Sequence, residues 1–105
     1  MRKIENFIDG EFISVSNETL EVYDPSKGEI CAKVVNSNEE DLSLAIKSSE
    51  EAFNEWSKVT PLKRSRVLSK YKELIEKNIE NLAKLVSSEH GKTLEDAKGS
   101  VIRGL

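Results

Sequence analysis

The longest regular pattern in the sequence covers residues 60–91, TPLKRSRVLSKYKELIEKNIENLAKLVSSEHG. Thr60 can cap a helix that begins at Pro61, because a proline there lacks only an N–H group that would have no partner inside the helix. Apolar residues then recur every three or four positions, and Gly91 suits the left-handed residue that often follows a helix. The pattern predicts one amphipathic helix over residues 61–89.

The length of this predicted helix bears on the size of the folded body. At about 1.5 Å per residue it would be roughly 43 Å long, whereas a compact domain of this chain length has a diameter of roughly 34 Å. Its apolar stripe continues almost to the end of the pattern. The part of the helix that extends beyond the domain must therefore pack its apolar side chains against another segment or chain. The sequence therefore predicts a piece of a larger body, although an elongated bundle could also house such a helix.

A shorter helix is predicted on each side of this one. Asn38 and Asp41 have the spacing of a capping box, and apolar residues follow at helical spacing from Leu42 to Trp56. This pattern indicates a helix over about residues 39–58. Thr93 can cap a third helix, over about residues 94–105.

The first 38 residues have the pattern of strands. Asp9-Gly10 lies between two short apolar runs and favours a type I′ hairpin turn, in which both central residues have positive φ. A second turn over residues 24–28 separates further strands at 20–23 and 29–35, and Cys31 is expected to be a small buried residue of the last strand. The predicted fold class is α+β: N-terminal antiparallel β-hairpin strands (residues 1–38), then three amphipathic helices (39–105), together one partial domain.

Composition excludes several classes of function. The chain has 105 residues, 16 basic and 19 acidic side chains and a net charge of -3, so no basic surface is expected for nucleic acid or an anionic membrane. The single cysteine cannot form an internal disulfide, which fits a reducing, cytoplasmic setting. No apolar run approaches the roughly 20 residues that span a bilayer. No metal site is expected, because His90 has no ligand companion at usable spacing.

Four short segments, in order, resemble the start of NAD(P)-dependent aldehyde dehydrogenases. They are residues 6–12 (NFIDGEF), 24–29 (DPSKGE), 52–56 (AFNEW) and 89–92 (EHGK). The end of the chain, GKTLEDAKGSVIRGL over residues 91–105, is most similar to the methylmalonate-semialdehyde dehydrogenase branch, which is CoA-acylating. The resemblance covers nearly the whole chain and identifies it as a fragment of a larger α/β enzyme fold.

This resemblance implies an oxidoreductase that uses NAD, with CoA as a possible cosubstrate and a homo-oligomeric assembly. In the family a cysteine thiolate attacks the aldehyde, hydride passes to the nicotinamide, and the acyl group leaves to CoA or water. The residues for this chemistry are expected in the remainder of the subunit, because Cys31 matches no catalytic motif and no Gly-rich phosphate turn is present. The chain is therefore expected to contain no catalytic or cofactor-binding residue and to be inactive alone.

Arg103 is the one candidate site residue. It stands where the resemblance places an arginine that holds the substrate's carboxylate, a task that suits a planar, bidentate guanidinium. The simpler alternative is an arginine that complements the negative end of a helix.

A second hypothesis assigns the chain an interaction function and not a part in an enzyme. The chain could be a stand-alone helical oligomerisation or interaction module, in which a second copy covers the long apolar stripe. Light scattering would distinguish this module from a severed fragment.

Overall fold

A computed structural model describes all residues, 1–105, and confirms the α+β class. The strands are β1 (Arg2–Ile4), β2 (Asn6–Ile8), β3 (Glu11–Ile13), β4 (Thr19–Asp24) and β5 (Glu29–Val35). The helices are α1 (Glu39–Trp56), α2 (Pro61–Lys77), α3 (Ile79–His90) and α4 (Leu94–Arg103). Two compact units result, Met1–Tyr23 with Ile30–Val59, and Asp24–Glu29 with Thr60–Leu105. These units do not coincide with the division at residue 38, because α1 groups with the strands.

The predicted hairpin is confirmed in the first unit. Strands β2 and β3 pair antiparallel, and Asp9 and Gly10 between them have φ of 52° and 79°. Both turn residues thus have the positive φ that a type I′ turn requires. Phe7 pairs with Phe12 across the hairpin, with the ring centroids 5.2 Å apart.

The second sheet corrects the expectation of antiparallel pairing alone. Its strand order is β1-β5-β4, and β1 runs parallel to β5, with Arg2 opposite Ala32 and Ile4 opposite Val34. The intervening chain, which contains the hairpin and β4, is long enough for the crossover that a parallel pair needs. Residues 25–28, which connect β4 to β5, are too few to form a crossover connection. The neighbouring strands β4 and β5 therefore run antiparallel.

Cys31 was expected to be buried, and this expectation is wrong. Its side chain is exposed, and its Sγ lies 3.3 Å from the carbonyl oxygen of Val22. Side chains alternate along β5, so that Ala32 is buried while Cys31 and Lys33 lie on the exposed face.

The helix predicted over residues 61–89 is also wrong, because two helices meet at Asn78. Asn78 has φ -106° and ψ 12°, outside the helical region, and its side-chain Nδ2 donates to the carbonyl of Leu74 at 2.8 Å. The backbone N–H of Asn78 donates to the same carbonyl at 3.2 Å, so the side-chain amide shares this acceptor with the helical ladder while the backbone of Asn78 leaves the helical conformation. The 17 residues of α2 span only about 26 Å, so no single helix of about 43 Å is present.

The expectation of uncovered apolar stripes is confirmed by the exposure of the large apolar side chains and not by the length of one helix. The buried hydrophobic residues are small: Ala32 and Val35 in the first unit, Ala83 and Ala97 in the second. Large apolar side chains are exposed instead, among them Phe7, Phe12, Leu42, Ile46, Phe53, Leu62, Val67, Leu68 and Tyr71. The chain exposes 8188 Å², whereas a folded monomer of this mass exposes roughly 5,900 Å².

The apolar side chains on the helices are interspersed with charged residues. No helix combines the length and the apolar content that a membrane span requires.

Candidate functional site

The end of the second unit is organised by the turn between α3 and α4. Helix α3 ends at His90, and Gly91 caps it with a left-handed φ of 85° and an N–H that donates to the carbonyl of Ser87. The Ser87 hydroxyl donates to the carbonyl of Lys92 at 2.8 Å, and the Thr93 side chain accepts from the N–H of Asp96 as the cap of α4. These local bonds fix Lys92 between the two helices.

Helices α3 and α4 pack closely because small residues meet between them. Ala83 of α3 and Ala97 of α4 are both completely buried, and alanine allows two helix backbones to approach. Lys98 of α4 also forms an ion pair with Glu80 of α3. This packing gives α4, and the residues at its end, a fixed place against α3.

Arg103 is the last residue of α4, and its side chain is exposed. Its Nη2 donates to the hydroxyl oxygen of Ser100 at 3.0 Å. No carboxylate lies within ion-pair distance of Arg103, since every ion pair in the structure involves other residues. The guanidinium therefore retains donors for a ligand.

Ser100 joins Arg103 to a second cation. The Ser100 hydroxyl oxygen accepts from Lys92 Nζ at 3.0 Å and donates its own hydrogen to the carbonyl of Asp96 at 3.2 Å. Lys92, like Arg103, has no carboxylate partner. Neither Lys92 nor Ser100 was predicted from the sequence as a site residue, although the i,i+3 spacing of Ser100 and Arg103 on a helix indicates that the two side chains are neighbours.

Asp41 forms the other polar centre, in the first unit. It is only 2% exposed, and its carboxylate accepts from the backbone N–H groups of Asn38 at 3.1 Å, Val15 at 2.7 Å and Ser16 at 3.2 Å. These backbone donors, Val15 first, hold the pKa of Asp41 below its ordinary value against the opposing effect of burial. The predicted capping box with Asn38 is confirmed, whereas the bonds to Val15 and Ser16 were not foreseen.

Asp41 is a structural group. It lines an open groove of 740 Å³ beside Phe7 and Leu42, but its oxygens are already occupied by the three N–H groups. A carboxylate that is held ionised in this way is unsuited to proton transfer near neutral pH. The bonds instead tie residues 15 and 16 to the start of α1.

The remaining polar candidates do not form a site. His90 ends α3 with an exposed side chain, and no group of three or more His, Cys, Asp or Glu residues could hold a metal ion. Exposed Cys31 belongs to the first unit, whereas Lys92, Ser100 and Arg103 belong to the second. The candidate site for an anionic ligand is therefore the group of Lys92, Ser100 and Arg103.

Known proteins are similar to this chain over nearly its whole length. A mitochondrial protein of Dictyostelium discoideum, assigned as an acylating methylmalonate-semialdehyde/malonate-semialdehyde dehydrogenase, is 44% identical over 94% of the chain and 19% of its own length. Malonate-semialdehyde dehydrogenase 2 of a Bacillus cereus strain is 42% identical over 97% of the chain and 21% of its own length. The chain thus spans about a fifth of the length of these relatives.

A solved structure agrees with the sequence comparison. It is a protein of Sinorhizobium meliloti 1021 that is assigned as a methylmalonate-semialdehyde dehydrogenase and is complexed with NAD. The structures match with a TM-score of 0.97 and 36% identity, over 100% of this chain and 22% of the other. The fold is that of the N-terminal part of the larger enzyme, and the sequence profile "Aldehyde dehydrogenase family" matches residues 12–105. The chain therefore belongs to the aldehyde dehydrogenase family.

Proposed function

We propose that this chain is the N-terminal part of an NAD-dependent, CoA-acylating aldehyde dehydrogenase that oxidises a carboxylated semialdehyde of the methylmalonate-semialdehyde type. The observation that carries the proposal is the exposed Arg103 guanidinium, which has no carboxylate partner within the chain. The names of the relatives support the same substrate class, since methylmalonate semialdehyde and malonate semialdehyde both carry a carboxylate.

Arg103 would act by binding and orientation. A guanidinium presents two parallel N–H donors to a carboxylate, which fixes both the position and the rotation of a small substrate. A bound carboxylate would hold the aldehyde at the other end of the molecule at a set distance from the end of α4. This role involves no proton transfer by Arg103.

Residues in this chain do not fit NAD or CoA. Phosphate binding in dinucleotide folds needs a glycine-rich turn between a strand and the start of a helix, whereas Gly91 ends α3 and Gly99 lies within α4. NAD would supply hydride acceptance when bound by the rest of a subunit. We therefore assign the partner of this chain as that remainder, in a homo-oligomer, and keep the cytoplasmic location as a prediction.

The first test is activity of the chain with and without the rest of a subunit. The purified 105-residue chain should form no NADH from methylmalonate semialdehyde, NAD and CoA, because Cys31 matches no catalytic motif of the family and the chain has no glycine-rich turn for a dinucleotide. A hybrid subunit, in which this chain replaces the matching segment of the Bacillus cereus relative, should form NADH and the acyl-CoA. NADH formation by the chain alone would contradict the proposal.

A second candidate function is self-association as an interaction module. The exposed apolar side chains of α1 and α2, such as Phe53, Leu68 and Tyr71, favour it. Light scattering at low micromolar concentration separates the candidates. A discrete, stable dimer or tetramer would support the module, whereas aggregation or weak folding supports a part of a larger subunit.

The hybrid subunit also tests the structural role of Asp41. In Asp41→Asn, peptides that cover residues 14–18 should exchange their amide hydrogens about tenfold faster, because two backbone donors lose a charged acceptor. Glu40→Gln is the matched control, since Glu40 lies in the same first turn with an exposed side chain. Equal exchange in both variants would show that Asp41 does not hold this loop.

The lowered pKa of Asp41 sets the pH dependence of this effect. A carboxyl group with a lowered folded-state pKa stabilises the fold above its ordinary pKa of about 4, and the contribution is lost as the pH falls through the lowered value. The difference between Asp41→Asn and the unsubstituted hybrid should therefore stay constant between about pH 5 and pH 8. Hydrogen exchange at several pH values checks this, after correction for the intrinsic exchange rate.

A further inference from the structure

The hydroxyl of Ser100 has every hydrogen-bonding position in use. A serine hydroxyl has one donor and two acceptor positions. The donor is directed to the carbonyl of Asp96, and the two acceptor positions receive Lys92 Nζ and Arg103 Nη2, each at 3.0 Å. The bond to Asp96 fixes the rotation of the hydroxyl, so its lone pairs face the two cations. Ser100 therefore holds both cationic groups in place.

This arrangement concentrates positive charge without compensation. Because Lys92 Nζ and Arg103 Nη2 are each 3.0 Å from the same oxygen, they are at most 6.0 Å apart. Neither has a carboxylate partner, and the hydroxyl between them is neutral. Two like charges at this distance repel each other, and an anion bound beside them would remove the repulsion.

The contacts argue against a helix-capping role for Arg103. Arg103 lies in the last turn of α4, where a cation complements the helix dipole without a hydrogen bond, but an arginine that caps the helix would donate to one of the last backbone carbonyls. The hydrogen bond of Arg103 goes instead to the side chain of Ser100, one turn back along α4. Lys92 lies in the turn before α4, and its Nζ donates to the same Ser100 oxygen. The backbone carbonyl of Lys92 accepts a hydrogen bond from the Ser87 hydroxyl, which holds this turn. Two separate segments thus converge on one point.

We propose that Lys92 and Arg103 form a two-cation site for the carboxylate of the substrate and that Ser100 is the residue that positions them. This inference rests on the proposed function, and it adds Lys92 as a specificity-determining residue. A carboxylate bound there takes a directional pair of charge-assisted bonds from Arg103 and one further charge-assisted bond from Lys92.

The test uses the hybrid subunit with methylmalonate semialdehyde and with propanal, which lacks the carboxylate. Lys92→Met and Ser100→Ala should each raise KM for the semialdehyde by about tenfold, with kcat and the kinetics of propanal changed less than about twofold. Lys92→Arg keeps the charge and Ser100→Thr keeps the hydroxyl, so both should retain most of the affinity. Lys84→Met is the matched control, because Lys84 is an exposed lysine of α3 in the same unit.

Three results would overturn the inference. Equal KM for the semialdehyde in Lys92→Met and Lys92→Arg would exclude a role for the charge at this position. An equal rise of KM for propanal would show that the residues act on the fold and not on the carboxylate. An unchanged KM in both Lys92→Met and Ser100→Ala, together with a raised KM in Arg103→Ala, would remove this inference and leave the proposed function intact.

The Arg103→Ala variant distinguishes a failure of the two-cation site from a failure of the proposed function. If it too leaves the selectivity for the semialdehyde unchanged, the proposed function itself fails. Should Ser100→Ala not assemble, the comparison of Lys92→Met with Lys92→Arg still decides the inference.

Discussion

Heated by itself, the 105-residue chain should show no cooperative unfolding transition. Its buried hydrophobic residues are three alanines and one valine, and no large side chain is fully buried. Removing large apolar side chains from water is the main favourable contribution to folding, and it must exceed the conformational entropy of ordering the chain. With 8188 Å² exposed, against roughly 5,900 Å² for an ordinary monomer of this mass, that contribution is too small.

Circular dichroism and dye binding together check this expectation. We expect far-ultraviolet dichroism to retain part of the helical signal, a gradual loss on heating, and strong fluorescence of a hydrophobic dye, as in loosely packed states. The hybrid subunit is the control, and it should unfold sharply and bind little dye. A calorimetric transition of about 60 to 80 kcal/mol in a monomeric chain, the value of an ordinary domain of this size, would contradict the expectation.

Replacement of Arg103 should have the largest effect on substrate selection. In the hybrid subunit, Arg103→Ala should lower kcat/KM for methylmalonate semialdehyde by about 100- to 1000-fold, because a bidentate charge-assisted pair is lost. Activity with propanal should change by less than about threefold. Arg103→Lys should fall between these values, since an ammonium keeps the charge without the planar pair of donors.

Steady-state kinetics with the two aldehydes measure this selectivity directly. Arg66→Ala is the control, because Arg66 is also an exposed arginine on a helix of the same unit. Unchanged selectivity in Arg103→Ala would place the chain in another branch of the family. A loss of activity with both aldehydes alike would instead assign Arg103 a structural role.

Local features of the chain could be predicted from the sequence. The Asp9-Gly10 turn, the capping box of Asn38 and the left-handed Gly91 all depend on residues within about four positions of one another. Family membership could also be read from short segments that occur in order. The break at Asn78 was missed, because an asparagine is tolerated in many helices and its φ of -106° and ψ of 12° are visible only in the structure.

The sequence by itself determined the Asp9-Gly10 turn, the starts of α1, α2 and α4 and the identity of Arg103 as a candidate, since these depend on near neighbours and on motif residues. Only the tertiary structure decided that β1 pairs parallel with β5, that Asp41 binds the backbone of Val15, and that Lys92 converges with Arg103 on Ser100. The strand pairing and the Asp41 bond join residues far apart in the sequence, and the convergence needs the fixed turn before α4. Periodicity carries no information about such contacts, because they depend on how completed elements pack.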